Sequence, residues 1–128
     1  MGLFRRKKKK ETVPKETVPA VNKEEMLVRA QELEKDLSSL NGKERINCLN
    51  ELGSLYYQAG EDDKAIEKYE ISIDESKSLG KAYTDLLKLY NVKRQEAAEA
   101  KNDALTKEYL DKISYLMQLS KDVIRGKV

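Results

Sequence analysis

The side chains that most often carry acid–base and metal chemistry are almost missing from this sequence. Its 128 residues include no histidine and a single cysteine, Cys48. His/Cys metal sites, histidine general bases and histidine-based triads are therefore excluded. The adjacent carboxylates of Asp62 and Asp63 are better explained as acidic residues at a helix start, where they meet its partial positive charge. The sequence predicts a protein that is not an enzyme, with no catalytic residue, cofactor or metal ligand.

A second kind of chemistry, the binding of anions, is concentrated in the first ten residues. An apolar pair is followed there by six consecutive basic residues: Leu3, Phe4, Arg5, Arg6, Lys7, Lys8, Lys9 and Lys10. This run has a charge of +6, whereas the 19 basic and 23 acidic residues of the remaining chain give it a net charge of −4. The apolar pair favours contact with an anionic membrane surface. Contact with nucleic-acid phosphates and a solely solubilising role are the alternatives.

The residues after the basic run have the composition of a spacer. The sequence KETVP occurs twice in succession, at residues 10–14 and 15–19, and its two prolines favour extended backbone. We expect residues 1–22 to be a disordered tail and linker, followed by a folded helical domain at residues 23–128. The single cysteine and the lack of a membrane-spanning run or signal-peptide pattern predict a cytoplasmic protein, held at the inner membrane face if the tail binds lipid.

Five amphipathic helices account for the remaining sequence. Apolar residues recur at steps of three and four over residues 23–40, 43–59, 62–79, 81–101 and from 103 onward. Asn22 is predicted to cap the start of the first helix, and Asn41 with Gly42 to end it. Gly60 is predicted to end the second helix at a tight turn.

The last of these helices has an unusually wide apolar face. Leu110, Met117 and Ile124 lie beside its main apolar stripe. A stripe of this width predicts that the last helix is covered on two sides.

The second and third helices also share an arrangement of small and aromatic residues over residues 46–79. Its members are Leu52, Gly53, Tyr56, Tyr57, Gly60, Asp63, Ala65, Ile66, Glu67 and Tyr69. Their spacing closely resembles the signature of the tetratricopeptide repeat (TPR), a helical hairpin of about 34 residues. Gly53 lacks bulk where the two helices would cross, and Tyr69 is expected to fill the adjoining space.

The sequence departs from that signature in two places. Lys77 replaces the family's proline, which predicts that the third helix continues towards Gly80. One repeat later Leu86 and Tyr90 match, but Leu87 replaces the glycine, so the second hairpin is predicted to be a degenerate repeat with a lengthened first helix. The resemblance implies an all-α fold of about five antiparallel helices, with TPR-like hairpins stacked as a short right-handed superhelix. The first predicted helix would cap it.

In the TPR family, the first helices of successive hairpins line a concave face that binds peptides or helices of partner proteins. Carried over to this sequence, that face is formed by Asn47, Asn50, Ser54, Tyr57, Lys81, Thr84, Lys88 and Asn91. Such side chains are suited to holding a peptide backbone and an acidic group. Ser54 replaces an asparagine of the family's carboxylate clamp, which argues against that mode of recognition. The alternative interpretation is that these residues form an ordinary polar helix surface.

The resemblance favours a non-enzymatic protein–protein interaction module, an adaptor or scaffold that binds a protein or peptide partner. One alternative is a nucleic-acid-associated accessory protein that uses its basic tail. The other is a self-associating structural subunit, since two and a half hairpins leave apolar end faces open to a second copy.

Overall fold

The protein is built from five α-helices, and the computed structural model describes residues 20–126. The helices are α1 (Ala20–Leu37), α2 (Gly42–Gln58), α3 (Asp62–Ser76), α4 (Lys81–Glu99) and α5 (Asp103–Ile124). Residues 20–126 contain no β-strand. Loops of three or four residues connect consecutive helices, as in antiparallel hairpins. The prediction of an all-α fold with about five helices is confirmed.

The helices pack in chain order around one core. Each helix contacts the next, and α2 also touches α4. Fully buried side chains from α2, α3, α4 and α5 meet in this core, among them Leu52, Tyr69, Leu86, Leu89 and Leu116. Right-handed superhelical stacking of the hairpins stays a prediction. Within residues 20–126, no helix combines the length and apolar character needed to cross a membrane.

The turn between α2 and α3 forms where the sequence predicts it. Gly60 has a φ of +82°, which a glycine adopts at little cost. The amide of Gly60 donates to the carbonyl of Tyr57 (3.1 Å), and that of Glu61 to the carbonyl of Tyr56 (2.8 Å). This pair of hydrogen bonds is a Schellman motif, which satisfies the last carbonyls of α2. The predicted helix start near Asp62 is also confirmed.

The turn between α4 and α5 has the same geometry without a glycine. Lys101 has a φ of +58°, and the amides of Lys101 and Asn102 donate to the carbonyls of Ala98 (3.0 Å) and Ala97 (2.9 Å). The side chain of Asn102 then caps α5 by accepting a hydrogen bond from the amide of Leu105 (3.1 Å). The predicted long fourth helix and the break at residues 102–103 are confirmed to within two residues.

The predicted ends of the first helix are wrong. Helix α1 begins at Ala20, so Asn22 lies inside it, and residues 20–22 are helical, contrary to the predicted linker boundary. The helix ends at Leu37, because the hydroxyl and amide of Ser39 both donate to the carbonyl of Asp36 in a tight turn. Asn41 is the N-cap residue of α2 and does not end α1. Residues 1–19, with most of the predicted tail and linker, lie outside the described residues.

The predicted extension of the third helix is also wrong. Helix α3 ends at Ser76, since Lys77 itself adopts a left-handed conformation with a φ of +53°. Its amide still donates to the carbonyl of Ile73 (2.8 Å), and the amide of Ser78 donates to Oγ of Ser76 (3.2 Å). These hydrogen bonds end the helix without a proline.

Helix α5 is covered on one side, not on two. Among the described helices, its backbone lies close to α4 alone. Leu110, Met117 and Ile124 are therefore 48%, 52% and 76% exposed. The prediction failed because no described helix lies on that flank of α5.

Candidate functional site

The four candidate residues on α2 differ in exposure. Asn47 is exposed, and Asn50 is half-buried and accepts a hydrogen bond from the hydroxyl of Ser72. Ser54 is half-buried and accepts a hydrogen bond from Nε2 of Gln58 (2.9 Å). Tyr57 is half-buried and packs against the core. Of the two asparagines, Asn47 is thus the more accessible to a ligand, while Asn50 is also bound to Ser72.

The four candidate residues on α4 all lie at the surface. Nζ of Lys81 is 2.5 Å from Oδ2 of Asp85, one turn along the helix. Thr84 donates to the carbonyl of Gly80 (3.4 Å) and Asn91 to that of Leu87 (3.0 Å). Lys88 is exposed. We call the surface formed by these eight residues the α2–α4 face.

The structure brings Asn50 and Lys81 to one small pocket of about 80 Å³. They come from helices that are adjacent in space although the two residues are distant in sequence. The pocket is also lined by Tyr69, Ser72, Ser76, Ser78, Gly80 and Ala82. Its wall thus combines an amide, an ammonium group and several hydroxyls, which are donors and acceptors for a polar ligand.

The buried carboxylate of Asp85 joins α3 and α4 beside this pocket. Asp85 is only 4% exposed and accepts hydrogen bonds from the hydroxyl of Tyr69 (2.8 Å) and from Lys81. Burial, reinforced by the hydrogen bond to Asp85, raises the pKa of Tyr69. A Cβ atom on Gly53 would lie 2.6 Å from the Tyr69 ring, which confirms the predicted close approach. Sequence reasoning missed Asp85, although an acidic residue four positions after a lysine is a signal for such a pair.

Two glutamate-centred clusters link successive helices in the same way. In the first, which we call the Glu34 cluster, Glu34 of α1 accepts hydrogen bonds from Tyr56 of α2 (2.8 Å) and from Nζ of Lys68 of α3 (3.0 Å). Lys68 is only 8% exposed. Burial, then the hydrogen bond to Glu34, raises the pKa of Tyr56 to about 12.

The second, the Glu70 cluster, repeats this pattern one hairpin later. Glu70 of α3 accepts hydrogen bonds from Tyr90 of α4 (2.5 Å) and from Nζ of Lys112 of α5 (3.0 Å). Burial and then the hydrogen bond to Glu70 raise the pKa of Tyr90. The tyrosines are 34 residues apart, but α4 continues nine residues past Tyr90 whereas α2 ends two past Tyr56. Sequence reasoning missed both clusters, because their glutamates and lysines have no fixed spacing in the chain.

A larger cavity lies on another side of the molecule. It has a volume of about 350 Å³ and opens between α3, α4 and α5. Its lining consists of Glu70, Ile71, Ile73, Asp74, Leu86, Tyr90, Lys112, Tyr115 and Leu116, and we call it the α3–α5 groove. None of the residues predicted for ligand binding lines it, so this groove was not predicted from the sequence.

The remaining predictions concern residues that are buried or outside the described range. Leu3, Phe4 and the six basic residues 5–10 lie outside the described residues. Cys48 is buried, its Sγ lies 3.6 Å from the carbonyl oxygen of Leu33, and burial raises its pKa. Within residues 20–126, no group of three or more cysteine, aspartate or glutamate residues is arranged to hold a metal ion.

Comparison of the chain with models of protein families, with curated proteins and with solved structures gave no match. The geometry of the molecule is therefore the basis for inferring its function.

Proposed function

We propose that the protein is a non-enzymatic interaction module that binds an extended peptide or a helix of a partner protein on its α2–α4 face. The observation that carries this proposal is the pocket shared by Asn50 and Lys81. Helices α2 and α4, the first helices of two successive hairpins, both line this pocket, as the resemblance to tetratricopeptide repeats implies. Asn47, Thr84 and Lys88 are exposed on the same two helices.

The chemistry of this face suits a partner with an acidic segment. Asparagine amides both donate and accept, so they pair with the amides and carbonyls of a peptide backbone. Lys81 and Lys88 add positive charge, and Lys88 is the more available of the two because Lys81 is held by Asp85. Charges at the rim of an interface chiefly steer association and set specificity.

The basic N-terminal residues supply a second contact in this proposal. Leu3 and Phe4 would enter an anionic membrane surface while residues 5–10 hold the protein there by charge. Full-length protein should sediment with vesicles that contain phosphatidylserine but not with pure phosphatidylcholine vesicles. Equal sedimentation with both, or with neither, would contradict membrane attachment, and a tail-dependent shift of nucleic acid would favour the alternative.

A charge reversal on the α2–α4 face tests peptide binding. Peptides are first selected from a random library on the wild-type protein, and their affinities are then measured by calorimetry. Lys88→Glu should weaken binding by about tenfold, because it removes an attractive rim charge and adds a repulsive one. Lys121→Glu reverses another exposed lysine, on α5, and should change affinity by less than about twofold.

The peptide proposal fails if both variants bind the selected peptides as the wild type does, or if the selection yields no peptide. Concentration-dependent dimerisation that is abolished by Met117→Glu would instead favour the self-associating subunit, since Met117 is on the exposed flank of α5.

A further inference from the structure

The α3–α5 groove has an apolar floor and a partly open aromatic wall. Ile73, Leu86 and Leu116 form the floor and are each at most 2% exposed. Tyr115 and Ile71 stand at its sides, and Tyr115 is 53% exposed. A volume of about 350 Å³ is at the lower end of the range for ligand pockets. Such a groove would receive a small number of apolar side chains.

The rim of the groove favours a cationic ligand. Two carboxylates, those of Glu70 and Asp74, and one ammonium group, that of Lys112, line the groove, and helix α3 as a whole has a net charge of −4. Asp74 lines the groove with its carboxylate side chain 77% exposed, and Lys77 lies 3.5 Å from it. Glu70 stands on the same rim and is already bound by Lys112. An occupant with apolar groups next to positive charge would complement this surface.

This chain contains a segment with that chemistry. We propose that Leu3 and Phe4 bind in the α3–α5 groove, with Arg5 and Arg6 placed against the acidic rim of α3. The two apolar side chains match the floor, and the adjoining arginines match Asp74 in charge and can bind a carboxylate through two hydrogen bonds. This inference concerns a different surface from the α2–α4 face and does not depend on peptide binding there. Because Leu3 and Phe4 cannot occupy the groove and a membrane at once, docking and membrane attachment are alternative states of this segment.

The length of chain before α1 permits this docking. Fifteen residues separate Phe4 from Ala20, the start of α1, and a fully extended chain of that length reaches roughly 50 Å. A folded body of about 107 residues has a radius of gyration of only about 13 Å. Because the segment is tethered, its effective concentration at the groove is in the millimolar range, so a modest intrinsic affinity is sufficient.

Photo-cross-linking within the full-length protein tests the docking. A chain that carries p-benzoylphenylalanine in place of Phe4 is irradiated at low concentration, and cross-linked peptides are identified by mass spectrometry. Cross-links should join position 4 to Ile71, Asp74 or Tyr115. Asp74→Lys should lower their yield by about fivefold, because it places a cation beside the arginines. The matched reversal Asp36→Lys, at an exposed site on α1, should leave the yield unchanged.

Two outcomes of the cross-linking would overturn the proposal. One is a set of cross-links spread over the surface or located on α2 and the exposed side of α4. The other is cross-links between two chains in a mixture of isotopically light and heavy protein, which would identify the occupant as the segment of a second copy.

Nuclear magnetic resonance gives an independent check that needs no cross-linker. The double change Leu3→Ser and Phe4→Ser should shift the amide signals of residues 71–74 and 112–116 and leave those of α1 in place. If the signals of Ile71 and Tyr115 do not move, the groove does not hold these side chains and the proposal is wrong.

Discussion

At the scale of single residues, the contact between Gly53 and Tyr69 sets how closely α2 and α3 approach. Tyr69 is 1% exposed, and its hydroxyl is bound to Asp85, so its ring has little freedom to move. Three ring atoms lie within 3 Å of the place where a Cβ atom on residue 53 would stand. Only a glycine allows this ring to approach the α2 backbone so closely.

Gly53→Ala should therefore destabilise the protein in spite of alanine's higher helix propensity. The gain in propensity is about 1 kcal/mol, whereas overpacking a fixed ring costs about 1–3 kcal/mol. We expect a net loss of about 1 kcal/mol in the free energy of unfolding, measured by urea denaturation. Gly80→Ser is the control: nothing lies within 4 Å of its Cβ position, and serine is a good N-cap for α4. A Gly53→Ala protein as stable as the wild type would contradict this account.

Tyr56 makes the free energy of unfolding fall as the pH rises through the alkaline range. Its pKa is about 12 in the folded protein, against an ordinary value of 10.0. Between these values the unfolded chain loses the phenol proton and the folded protein keeps it, so the free energy of unfolding falls as pH rises. One proton contributes at most about 1.4 kcal/mol per pH unit.

The Tyr56→Phe variant should show a shallower loss of stability between pH 10 and 12 than the wild type does. Denaturation in urea at a series of pH values compares the two proteins. Identical slopes for wild type and Tyr56→Phe would show that the Glu34 hydrogen bond and burial do not perturb this phenol.

At the scale of helices, the Glu34 and Glu70 clusters fix how consecutive elements are placed. Each glutamate reaches across an interface to a tyrosine on the next helix and a lysine on the one after it. Hydrogen bonds to charged groups contribute more than neutral ones, and loss of one partner leaves a buried group unsatisfied. A single side chain thus joins three helices.

Glu34→Ala should lower the free energy of unfolding by about 2 kcal/mol, since it leaves the largely buried Lys68 ammonium and the Tyr56 hydroxyl without an acceptor. The matched change Glu51→Ala removes the partner of Arg29 from a pair in which both side chains are about half exposed. That change should cost less than about 1 kcal/mol. Equal losses for both variants in urea denaturation would contradict a special role for the Glu34 cluster.

The helix ends show which parts of the fold local chemistry determines. Gly60 and Asp62 are where the sequence predicts them, because glycine in a left-handed turn and an acidic residue at a helix start act through backbone groups nearby. Lys77 was placed wrongly, since a lysine has no intrinsic preference for the left-handed conformation that it adopts here.

The site residues likewise form two groups, those that the sequence pattern locates and those that only the tertiary fold brings together. Asn50 and Lys81 could be placed on two helices from the repeat pattern alone. Glu34 could not be identified, because its hydrogen bonds are to partners that the tertiary fold brings close. For Asp85 the sequence offered the spacing to Lys81 but not the buried hydrogen bond to Tyr69. The α3–α5 groove was missed for the same reason, since it exists only once three helices are assembled.

At the scale of the whole molecule, stability should decrease from the centre of the packing order to its ends. Six residues of α3 are buried, whereas α5 buries only Leu116 and Leu119, and residues 22–37 of α1 bury only Ala30 and Leu33. In the described range, the backbone of each terminal helix lies close to that of one neighbouring helix. They therefore have the fewest contacts to lose when they open locally.

Amide hydrogen exchange should report this gradient. We expect amides in the middle of α1 and α5 to exchange at least about tenfold faster than those in the middle of α3 under native conditions. Mass spectrometry of peptic peptides would measure the difference. Equal protection in α1, α3 and α5 would mean that the five helices open only as one unit.

The Glu34 cluster has a consequence for how such a chain can be lengthened. Helix α1 offers Glu34 to the hairpin that follows it, just as α3 offers Glu70 to the next hairpin. In a chain with residues 47–80 duplicated in tandem, Tyr56 of the second copy would stand ten residues after Gly80, as Tyr90 does, and would meet Glu70 of the first copy. Lys68 of the second copy would take the place of Lys112. The repeated unit could therefore pack against a second copy of itself, and the number of units in the chain would set the length of the helical stack.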